Sequence, residues 1–437
     1  MKVFRTSDYN ITSDGSELVT AKLQELIDET STNKGKLVIT KGTYLVSSLF
    51  LKSDMEFHLE EGAMLLATTD ETKYPILATR VAGIEMDWYV GVVNITNCKN
   101  VILSGTGAIN GSGEYWWDKY WGQDKKSGMR KDYDKNGLRW VVDYDCKRVR
   151  NLVVENSENI TIKEFKSMQS GFWNVHILYS TNIRIDNIKI ENTGGESPST
   201  DGIDIDSSSN VIVENCITSC HDDSICIKSG RDGDGHEVAR PCHDIIIRNC
   251  EIREGMGMTL GSEVSGGVYN VTFENIKFSG TDCGLRIKSS IARKGYIRDI
   301  TVKNIEMENV RYPFNFTLNW NPEYSICSLP EGYEGHIADH WHKLLKQVPS
   351  EVSNTVVENI KISNVTSQNT DDYEGESRAF QIEGFADSPI KNVSFDNVNI
   401  VAKEFGKISY VKNINFINSN ISVTSENNEK NDTYDNR

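Results

Sequence analysis

The sequence of 437 residues predicts an all-β chain folded as a single-domain, right-handed parallel β-helix. One observation behind this prediction is a short motif, in which Asn or Asp precedes alternating apolar residues and a second Asn, that recurs along the chain. Another is the step between consecutive copies, roughly 21 to 34 residues, which is typical of repeat folds. A β-propeller fits less well, because its blades of about 40 residues need hairpin turns that the sequence does not signal.

Each copy of the motif predicts one short strand. β-Branched residues at every second position indicate a strand with one buried face. Asn suits the turn beside such a strand because it tolerates a left-handed backbone and hydrogen-bonds locally. We therefore expect stacked strands flanked by ladders of asparagines. The copies begin at Asn100, Asn159, Asn182, Asn210, Asp244, Asn270, Asp299, Asn392 and Asn413.

Other segments depart from the repeat. Residues 17–30 place apolar side chains on one side of a helix, which we expect to cap the open end of the first coil. Long gaps in the repeat, within 100–159 and 299–359, predict cleft-side loops that wall a groove. The polar residues 425–437 predict a disordered tail, so that the β-helix domain spans residues 1–424.

Composition excludes several classes of partner. The formal net charge of -16 argues against nucleic acid and against an anionic membrane surface. No apolar run reaches the length of a membrane-spanning helix, about 18 residues. The first residues lack the apolar core of a secretory signal, which predicts a cytoplasmic location, or a secreted or periplasmic one if a signal has been removed. The nine cysteines show no zinc-site spacing. No metal and no cofactor is therefore predicted, and the oligomeric state is left open.

Three aspartates recur at the spacing of one coil. Asp201 precedes the pair Asp222 and Asp223 by about one coil, and Arg286 and Lys288 follow on a later coil. Neighbouring coils lie about 4.8 Å apart, so we expect these side chains to form one compact site. Single acidic residues at coil turns are most often solvated caps. Three of them stacked beside an Arg-x-Lys pair favour acid–base cleavage of a glycosidic bond, although both members of the Asp pair can reach a cleft only if the backbone bends there.

The motifs around these residues resemble those of glycoside hydrolase family 28, the polygalacturonases and related pectin hydrolases, and the resemblance covers nearly the whole chain. The family's Asn-Thr-Asp-Gly motif corresponds to Ser199-Thr200-Asp201-Gly202, with Ser in place of Asn. Its Gly-Asp-Asp motif corresponds to His221-Asp222-Asp223, and its Arg-Ile-Lys motif is intact at Arg286-Ile287-Lys288. Gly261-Ser262-Glu263 matches bacterial members and adds Glu263 to the candidate substrate-binding residues.

The resemblance implies an inverting glycoside hydrolase that cleaves α-linked, galacturonate-containing pectin fragments. By this resemblance, Asp222 is the general acid, and Asp201 and Asp223 activate the water. Arg286 and Lys288 are expected to bind a uronate carboxylate, Arg as a bidentate fork and Lys as a point charge. Crowded carboxylates raise the pKa of one of them, which keeps an acid protonated near neutral pH.

One motif departs from the family pattern. Its Gly-His-Gly motif reads Gly255-Met256-Gly257 here, and Met cannot tune carboxylates as a histidine does. We expect that His221 or His176 takes over this electrostatic role, or that the sugar beside the scissile bond differs from plain galacturonate. A structural role for each histidine is the simpler alternative.

Several tryptophans are candidates for stacking on sugar rings, and we expect one or two of them to line subsites rather than the loop core. They are Trp116, Trp117, Trp121, Trp173 and Trp320. Trp173 is counted among the substrate-binding residues. Long insertions on both sides of the site predict a closed-ended pocket and exo action on oligosaccharides.

Three other functions compete with this one. A rhamnogalacturonan-directed hydrolase of the same family would release galacturonate or rhamnose, and the altered motifs at Ser199, His221 and Met256 favour it. A pectate-lyase-type β-helix would need calcium and a basic catalytic residue. A non-catalytic carbohydrate-binding β-helix would bind oligosaccharides without turnover, and the three intact aspartates argue against it.

Overall fold

The computed structural model describes residues 1–192 and 196–424, and the tail predicted over 425–437 lies outside them. In the described residues, parallel strands stack into one sheet of 22 strands and a second of 11 strands. The two sheets run along a continuous apolar core that extends from Phe4 to Ala402. The right-handed parallel β-helix predicted from the repeats is therefore confirmed. The domain boundary at residue 424 stays a prediction.

The larger sheet contains two or more strand segments per coil over the first half of the chain. Its strands are Val3–Arg5, Asp14–Leu18, Lys36–Ile39, Gly42–Val46, Met55–Leu59, Ala63–Ala67, Lys99–Ser104, Ala108–Asn110, Glu158–Lys163, Lys166–Met168, Thr181–Asp186, Lys189–Glu191, Ser209–Glu214, Ile217–Ser219, Cys242–Arg248, Glu251–Ile252, Val268–Ser279, Tyr296–Glu308, Val356–Gln368, Ile390–Ala402, Val411–Ile417 and Asn420–Val423.

The smaller sheet, called the site sheet, contributes one strand per coil. Its strands are Leu49–Phe50, Val93–Thr96, Leu152–Glu155, Val175–Leu178, Ile203–Asp206, Ile225–Lys228, Met258–Leu260, Cys283–Lys288, Tyr312–Thr317, Arg378–Glu383 and Glu404–Ser409. An antiparallel hairpin, Ile76–Val81 with Ile84–Tyr89, stands apart from both sheets.

Alternation along the strands sends aliphatic side chains into the core of each coil. On the site sheet Ile177, Ile205, Ile227, Leu260 and Ile287 follow one another in register, and all are fully buried. Each such side chain contributes roughly 1.5–3 kcal/mol by leaving water. Because the strand period is two, the residues between these aliphatics point out of the core, onto the face that carries the site.

The asparagines that mark the motif form the ladder that the sequence predicts. Asn359 donates to the carboxylate of Asp299, Asn392 donates to Asn359, and Asn413 donates to Asn392, each at 3.0 Å. These four residues have φ between 56° and 61°, a left-handed backbone that Asn and Asp adopt more easily than other residues. The ladder fixes the register of one coil on the next.

The predicted N-terminal helix begins later than expected. The structure has a strand at Asp14–Leu18 and the helix, α1, at Thr20–Thr32. The strand extends through residue 18 because it pairs with Gly42–Val46 and because the amide of Val19 donates to Leu45 at 2.9 Å. Helix α1 buries Leu23, Leu26 and Ile27 in the core. Its role as a cap for the first coil stays a prediction.

The two long gaps in the repeat contain the other helices of the described residues, together with one helix between coils. These are α2 (Gly113–Trp121), α3 (Met129–Lys135), α4 (Val142–Asp145), α5 (Asp232–Val238), α6 (Pro322–Ser325) and α7 (Asp339–Leu345). Trp88, Trp140, Trp173, Tyr324 and Trp341 from these segments, the hairpin and one coil form a second apolar cluster beside the core. In the described part of the chain, no helix has the length and apolar character needed to cross a membrane.

Candidate active site

The insertions enclose a cavity of about 580 Å³ over the site sheet. This volume is within the range typical of small-molecule sites, roughly 300–1,000 Å³. One wall comes from the α2–α4 segment and includes Trp121 and Arg139, and another comes from the α6 segment and includes Trp320 and Tyr324. The site sheet supplies the floor.

The three predicted aspartates meet on this floor. The register that pairs Ile203 with Ile225 places Asp201 beside Asp223 on the next coil. Asp201, Asp222 and Asp223 all line the cavity, and they offer oxygen atoms that lie within 4.8 Å of one another.

A bend in the backbone explains how two consecutive aspartates reach one cavity. Asp222 and Asp223 lie at a bend before the strand Ile225–Lys228, and Asp222 Oδ1 accepts a hydrogen bond from the Asp223 amide at 2.9 Å. The neighbouring coil approaches closely here, because the amide of Met256 donates to the Asp222 carbonyl at 2.9 Å. Gly255, with φ +101°, allows this approach, since a Cβ at that position would lie 2.6 Å from the same carbonyl oxygen.

The three carboxyl groups titrate differently. Burial, reinforced by the charge of Asp222, raises the pKa of Asp201 to about 8. Burial and then the charge of Asp223 raise the pKa of Asp222. Burial also acts to raise the pKa of Asp223, but the charges of Lys288 and Arg286 outweigh it and lower that pKa below its usual value. Asp223 is therefore ionised at neutral pH, Asp201 is mostly protonated there, and Asp222 holds its proton more tightly than an ordinary aspartate does.

The predicted uronate-binding pair lies next to Asp223. Lys288 lines the cavity, and its Nζ is 2.7 Å from Asp223 Oδ2. Arg286 is 9% exposed, and its Nη1 is 3.4 Å from Asp223 Oδ1. The ring of Trp320 covers both cations, with its centroid 4.3 Å from Lys288 Nζ and 5.5 Å from the Arg286 guanidinium carbon.

The two candidate histidines occupy different environments. His221 lines the cavity beside Asp222, and its Nδ1 accepts a hydrogen bond from the Ser197 amide at 3.1 Å. Its Nε2 therefore carries the proton in the neutral ring. His176 is fully buried beneath Trp173 and does not line the cavity. Burial lowers the pKa of His176 to about 4, so this ring is neutral and is not placed to touch a substrate.

Met256 and three of the candidate tryptophans line the cavity, and two other tryptophans lie in the core. Met256 lines the cavity one coil beyond Asp223. Trp121, Trp173 and Trp320 also line it, whereas Trp116 and Trp117 are buried in the main core. Stacking of any of these rings on a sugar stays a prediction.

A buried lysine that the sequence did not single out lies at the centre of the site. Lys228 Nζ is 3.4 Å from Asp201, 3.5 Å from Asp204 and 3.4 Å from Glu263, and it lies 4.9 Å from the ring centroid of Trp173. Burial alone would lower the pKa of Lys228, but the surrounding carboxylates raise it, so the ammonium charge persists. The feature that could have identified Lys228 as a site residue is its position on the outward face of the strand Ile225–Lys228, in register with Asp206.

Glu263 and Asp204 complete this charged group. Glu263 lines the cavity and accepts from Ser262 at 2.9 Å. Burial raises the pKa of Glu263, but Lys228 and Arg293 outweigh it and bring it to about 2. Asp204 has no hydrogen-bond partner for either oxygen in the described residues, and burial and then the charge of Asp201 raise its pKa.

The aspartates could also be considered as cation ligands, since Asp201, Asp204 and Cys226 form a second group with atoms within 4.8 Å. Lys228 already lies 3.4 and 3.5 Å from the two carboxylates of that group, and Lys288 lies 2.7 Å from Asp223. Protein cations therefore already supply the positive charge that a metal ion would bring.

Comparison with known proteins adds the family. A sequence profile described as “Glycosyl hydrolases family 28” matches residues 32–330. The chain is 29% identical over 405 residues to a “Probable polygalacturonase” of Vitis vinifera, which covers 90% of this chain and 73% of that protein. It is 25% identical over 340 residues to an “Exo-poly-alpha-D-galacturonosidase” of Dickeya chrysanthemi, with 71% of this chain and 56% of that protein covered.

Among solved structures, the crystal structure of a hyperthermoactive exopolygalacturonase from Thermotoga maritima has a similar fold, with a TM-score of 0.79. The sequence identity is 24%, and the match covers 96% of this chain and 92% of that one. Because the sequence identity is this low, the similarity shows that the two proteins share a fold and nothing more.

Proposed function

Because the chain belongs to glycosyl hydrolase family 28, we propose that it hydrolyses α-linked bonds between galacturonate residues of pectin-derived oligosaccharides, acting from a chain end. The observation that carries this proposal is the meeting of Asp201, Asp222 and Asp223 on a cavity floor beside two cations. Pectin is an anionic polymer of uronates, so a chain with a net charge of -16 needs such a local positive patch to bind it.

Each carboxyl group has a role that agrees with its environment. Burial raises the pKa of Asp222, which favours its protonated form, and Asp222 gives its proton to the oxygen that leaves. Asp223, held ionised by Lys288 and Arg286, accepts a proton from the attacking water. Asp201 assists in its ionised form, which grows as the pH approaches its pKa of about 8. The C–O bond to the leaving sugar breaks as the water oxygen bonds to the anomeric carbon.

The distance between the carboxyl groups bears on the stereochemistry. Inverting enzymes usually separate their two carboxyl groups by about 6.5–9.5 Å. Here one oxygen from each carboxyl group lies within 4.8 Å of the others. One water can still bridge two oxygens about 5 Å apart, because each hydrogen bond spans about 2.7 Å. Inversion of the anomeric centre therefore stays a prediction that rests on the family.

Exo action is supported by the shape of the site and by one relative. The α2–α4 and α6 segments wall the cavity on two sides, which suits a chain end better than the middle of a polymer. The relative in Dickeya chrysanthemi is named as an exo-acting enzyme. The cytoplasmic location expected from the first residues receives no support from these relatives, and the proposal does not depend on it.

Hydrolysis of digalacturonate in H₂¹⁸O, followed by mass spectrometry and by NMR of the first-formed anomer, tests the proposal. We expect one ¹⁸O atom at the new anomeric carbon, the inverted anomer, and no unsaturated product. Asp222→Asn should lower kcat by about 10²–10⁴-fold. The exposed Asp87→Asn is the matched control and should leave kcat unchanged. Binding of digalacturonate without any turnover in the wild-type protein would reject the proposal.

A further inference from the structure

A second group of cations, called the Arg139 group and made of Arg130, Arg139 and Arg148, lies at the cavity wall formed by the α2–α4 segment. Arg130 and Arg148 contact the buried Tyr120, and the Arg139 guanidinium carbon lies 5.0 Å from the ring centroid of Tyr324. The Arg148 guanidinium carbon lies 4.7 Å from the ring centroid of Tyr120, and Arg130 Nη1 lies 3.5 Å from the Tyr120 hydroxyl. Arg130 and Arg139 also line the cavity, and their side chains remain 25% and 18% exposed.

This group lies on the opposite side of the three aspartates from Lys288. Arg139 Nη1 donates to Asp143 Oδ2 at 2.7 Å, and the other oxygen of Asp143 accepts from Ser199 Oγ at 3.2 Å. Ser199 lies at the start of the coil that carries Asp201, whereas Lys288 lies two coils beyond the one that carries Asp223. A sugar chain that crosses the three aspartates therefore meets a cationic group at each side.

Among residues 1–192 and 196–424, fewer carboxylates than arginines lie within ion-pair distance of the Arg139 group. Its three arginines have two carboxylates within ion-pair distance, Asp134 beside Arg130 and Asp143 between Arg139 and Arg148. Arg139 uses one nitrogen for Asp143, and across residues 1–192 and 196–424 its Nε and Nη2 have no hydrogen-bond partner. One negative charge from outside the protein would complete the group.

We propose that Arg139, with Arg130 beside it, binds the carboxylate of a second uronate, on the other side of the scissile bond from the uronate bound by Lys288 and Arg286. The fork of an arginine suits this ligand, because it forms paired hydrogen bonds with a carboxylate and cannot form them with a methyl ester. This inference rests on the proposed function and adds to it. The bond that is cleaved joins two uronates, both with free carboxylates, and a neutral rhamnose on the Arg139 side is rejected.

The test uses digalacturonate and its two mono-methyl esters, esterified on one residue or on the other. For the wild-type enzyme, each ester should lower kcat/KM by roughly 10- to 100-fold, since each removes a charge-assisted pair of hydrogen bonds. For each ester, the quantity compared is kcat/KM for digalacturonate divided by kcat/KM for that ester. Arg139→Met should bring this ratio close to one for one of the two esters and leave it unchanged for the other. The residue concerned is then the one that faces Arg139.

The controls separate binding from folding. Arg139→Met leaves Asp143 with Arg148 at 3.5 Å, so the change does not strand a buried carboxylate. Arg139→Lys keeps the charge without the fork and should keep part of the discrimination. Arg253→Met, at an exposed arginine paired with Glu251, should change neither ratio. Melting temperatures of all variants check the fold.

Two outcomes overturn this inference. One is full discrimination against both esters in Arg139→Met, and the other is equal hydrolysis of all three substrates by the wild-type enzyme. Failure of the proposed function looks different, because the wild-type enzyme would then not hydrolyse digalacturonate at all.

Discussion

Lys228 Nζ lies 3.4 Å from Asp201 Oδ2, on the preceding coil of the β-helix, and 3.4 Å from Glu263 Oε2, on the following coil. Asp201 is a buried acid whose other close neighbours, Asp222 and Asp223, are themselves acids. A positive charge this close lowers the pKa of Asp201, against the effects of burial and of Asp222. Lys228 is therefore the cation that limits the rise of the Asp201 pKa, the tuning role expected of a histidine at position 256.

The first prediction concerns Lys228→Met, which should raise the pKa of Asp201. A cation within about 4–6 Å shifts a carboxyl pKa by about 1–3 units, so the acidic limb of the kcat/KM profile should move to higher pH. Measuring kcat/KM between pH 4 and 9 checks this. Lys99→Met, at an exposed lysine, is the control. An unchanged limb with reduced kcat would mean that Lys228 acts only through packing.

The second prediction compares two neighbouring aspartates, whose replacement should change stability in opposite directions. The folded-state pKa of Asp201, about 8, exceeds the ordinary value of 3.8. The folded state then holds a proton that the unfolded state releases, so stability falls as pH rises from about 4 to 8. Asp201→Asn removes this loss and should stabilise the protein at pH 8 by about 1–3 kcal/mol, while abolishing most activity.

Asp223→Asn should instead destabilise the protein at pH 8. Its pKa is lowered, so the stability it contributes is present above the ordinary pKa of 3.8 and is lost as pH falls through the folded value. The amide leaves the buried Lys288 and Arg286 without their carboxylate, at a cost of about 3–5 kcal/mol. Chemical denaturation of both variants at pH 8 measures the two signs. Changes of the same sign in both variants would contradict the assigned charges.

The third prediction separates the two histidines. His176→Ala removes a ring that is neutral above pH 5 and does not line the cavity, so we expect lower stability and an unchanged pH–rate profile. His221→Ala removes a ring that lines the cavity and accepts from the Ser197 amide. If His221 tunes the carboxylates, this variant alone shifts a limb of the profile. An unchanged profile would leave His221 with a structural role.

The fourth prediction concerns the buried group behind the cavity. Asp232 lies 2.5 Å from Arg293 and 3.3 Å from Arg231, and both arginines are fully buried. Arg231 also donates to the Tyr144 hydroxyl at 2.6 Å, which ties this group to the α2–α4 segment. Asp232→Asn should lower the free energy of unfolding by about 3–5 kcal/mol, because it leaves two buried charges with too little compensation.

The control for this fourth change is a surface pair of similar geometry. Glu306 lies 2.9 Å from Lys277, with both side chains more than half exposed. Glu306→Gln should cost less than about 1 kcal/mol, since water screens an exposed pair. Equal losses from the buried and exposed changes would show that burial does not set the strength of the Asp232 group.

Much of this molecule could be predicted because its information is local and periodic. Alternation of apolar residues requires strands with one buried face, and an Asn at a fixed place in each copy forms the observed ladder. The same period brought Asp201 next to Asp223. Prediction was weakest where the chain leaves the repeat. The start of α1 was misplaced because pairing of the strand Asp14–Leu18 with a distant segment competes with helix formation.

The sequence by itself determined the coil, the stacking of three aspartates and the neighbouring Arg-x-Lys pair, since each follows from a repeat whose register is set by burial of one face. Only the tertiary structure decided which charges surround them. Lys228, Asp204 and Glu263 come from three coils, and Arg139 comes from an insertion with no repeat to place it. Their roles depend on distances of 3 to 4 Å inside a low-dielectric cavity, and no spacing along the chain fixes such distances.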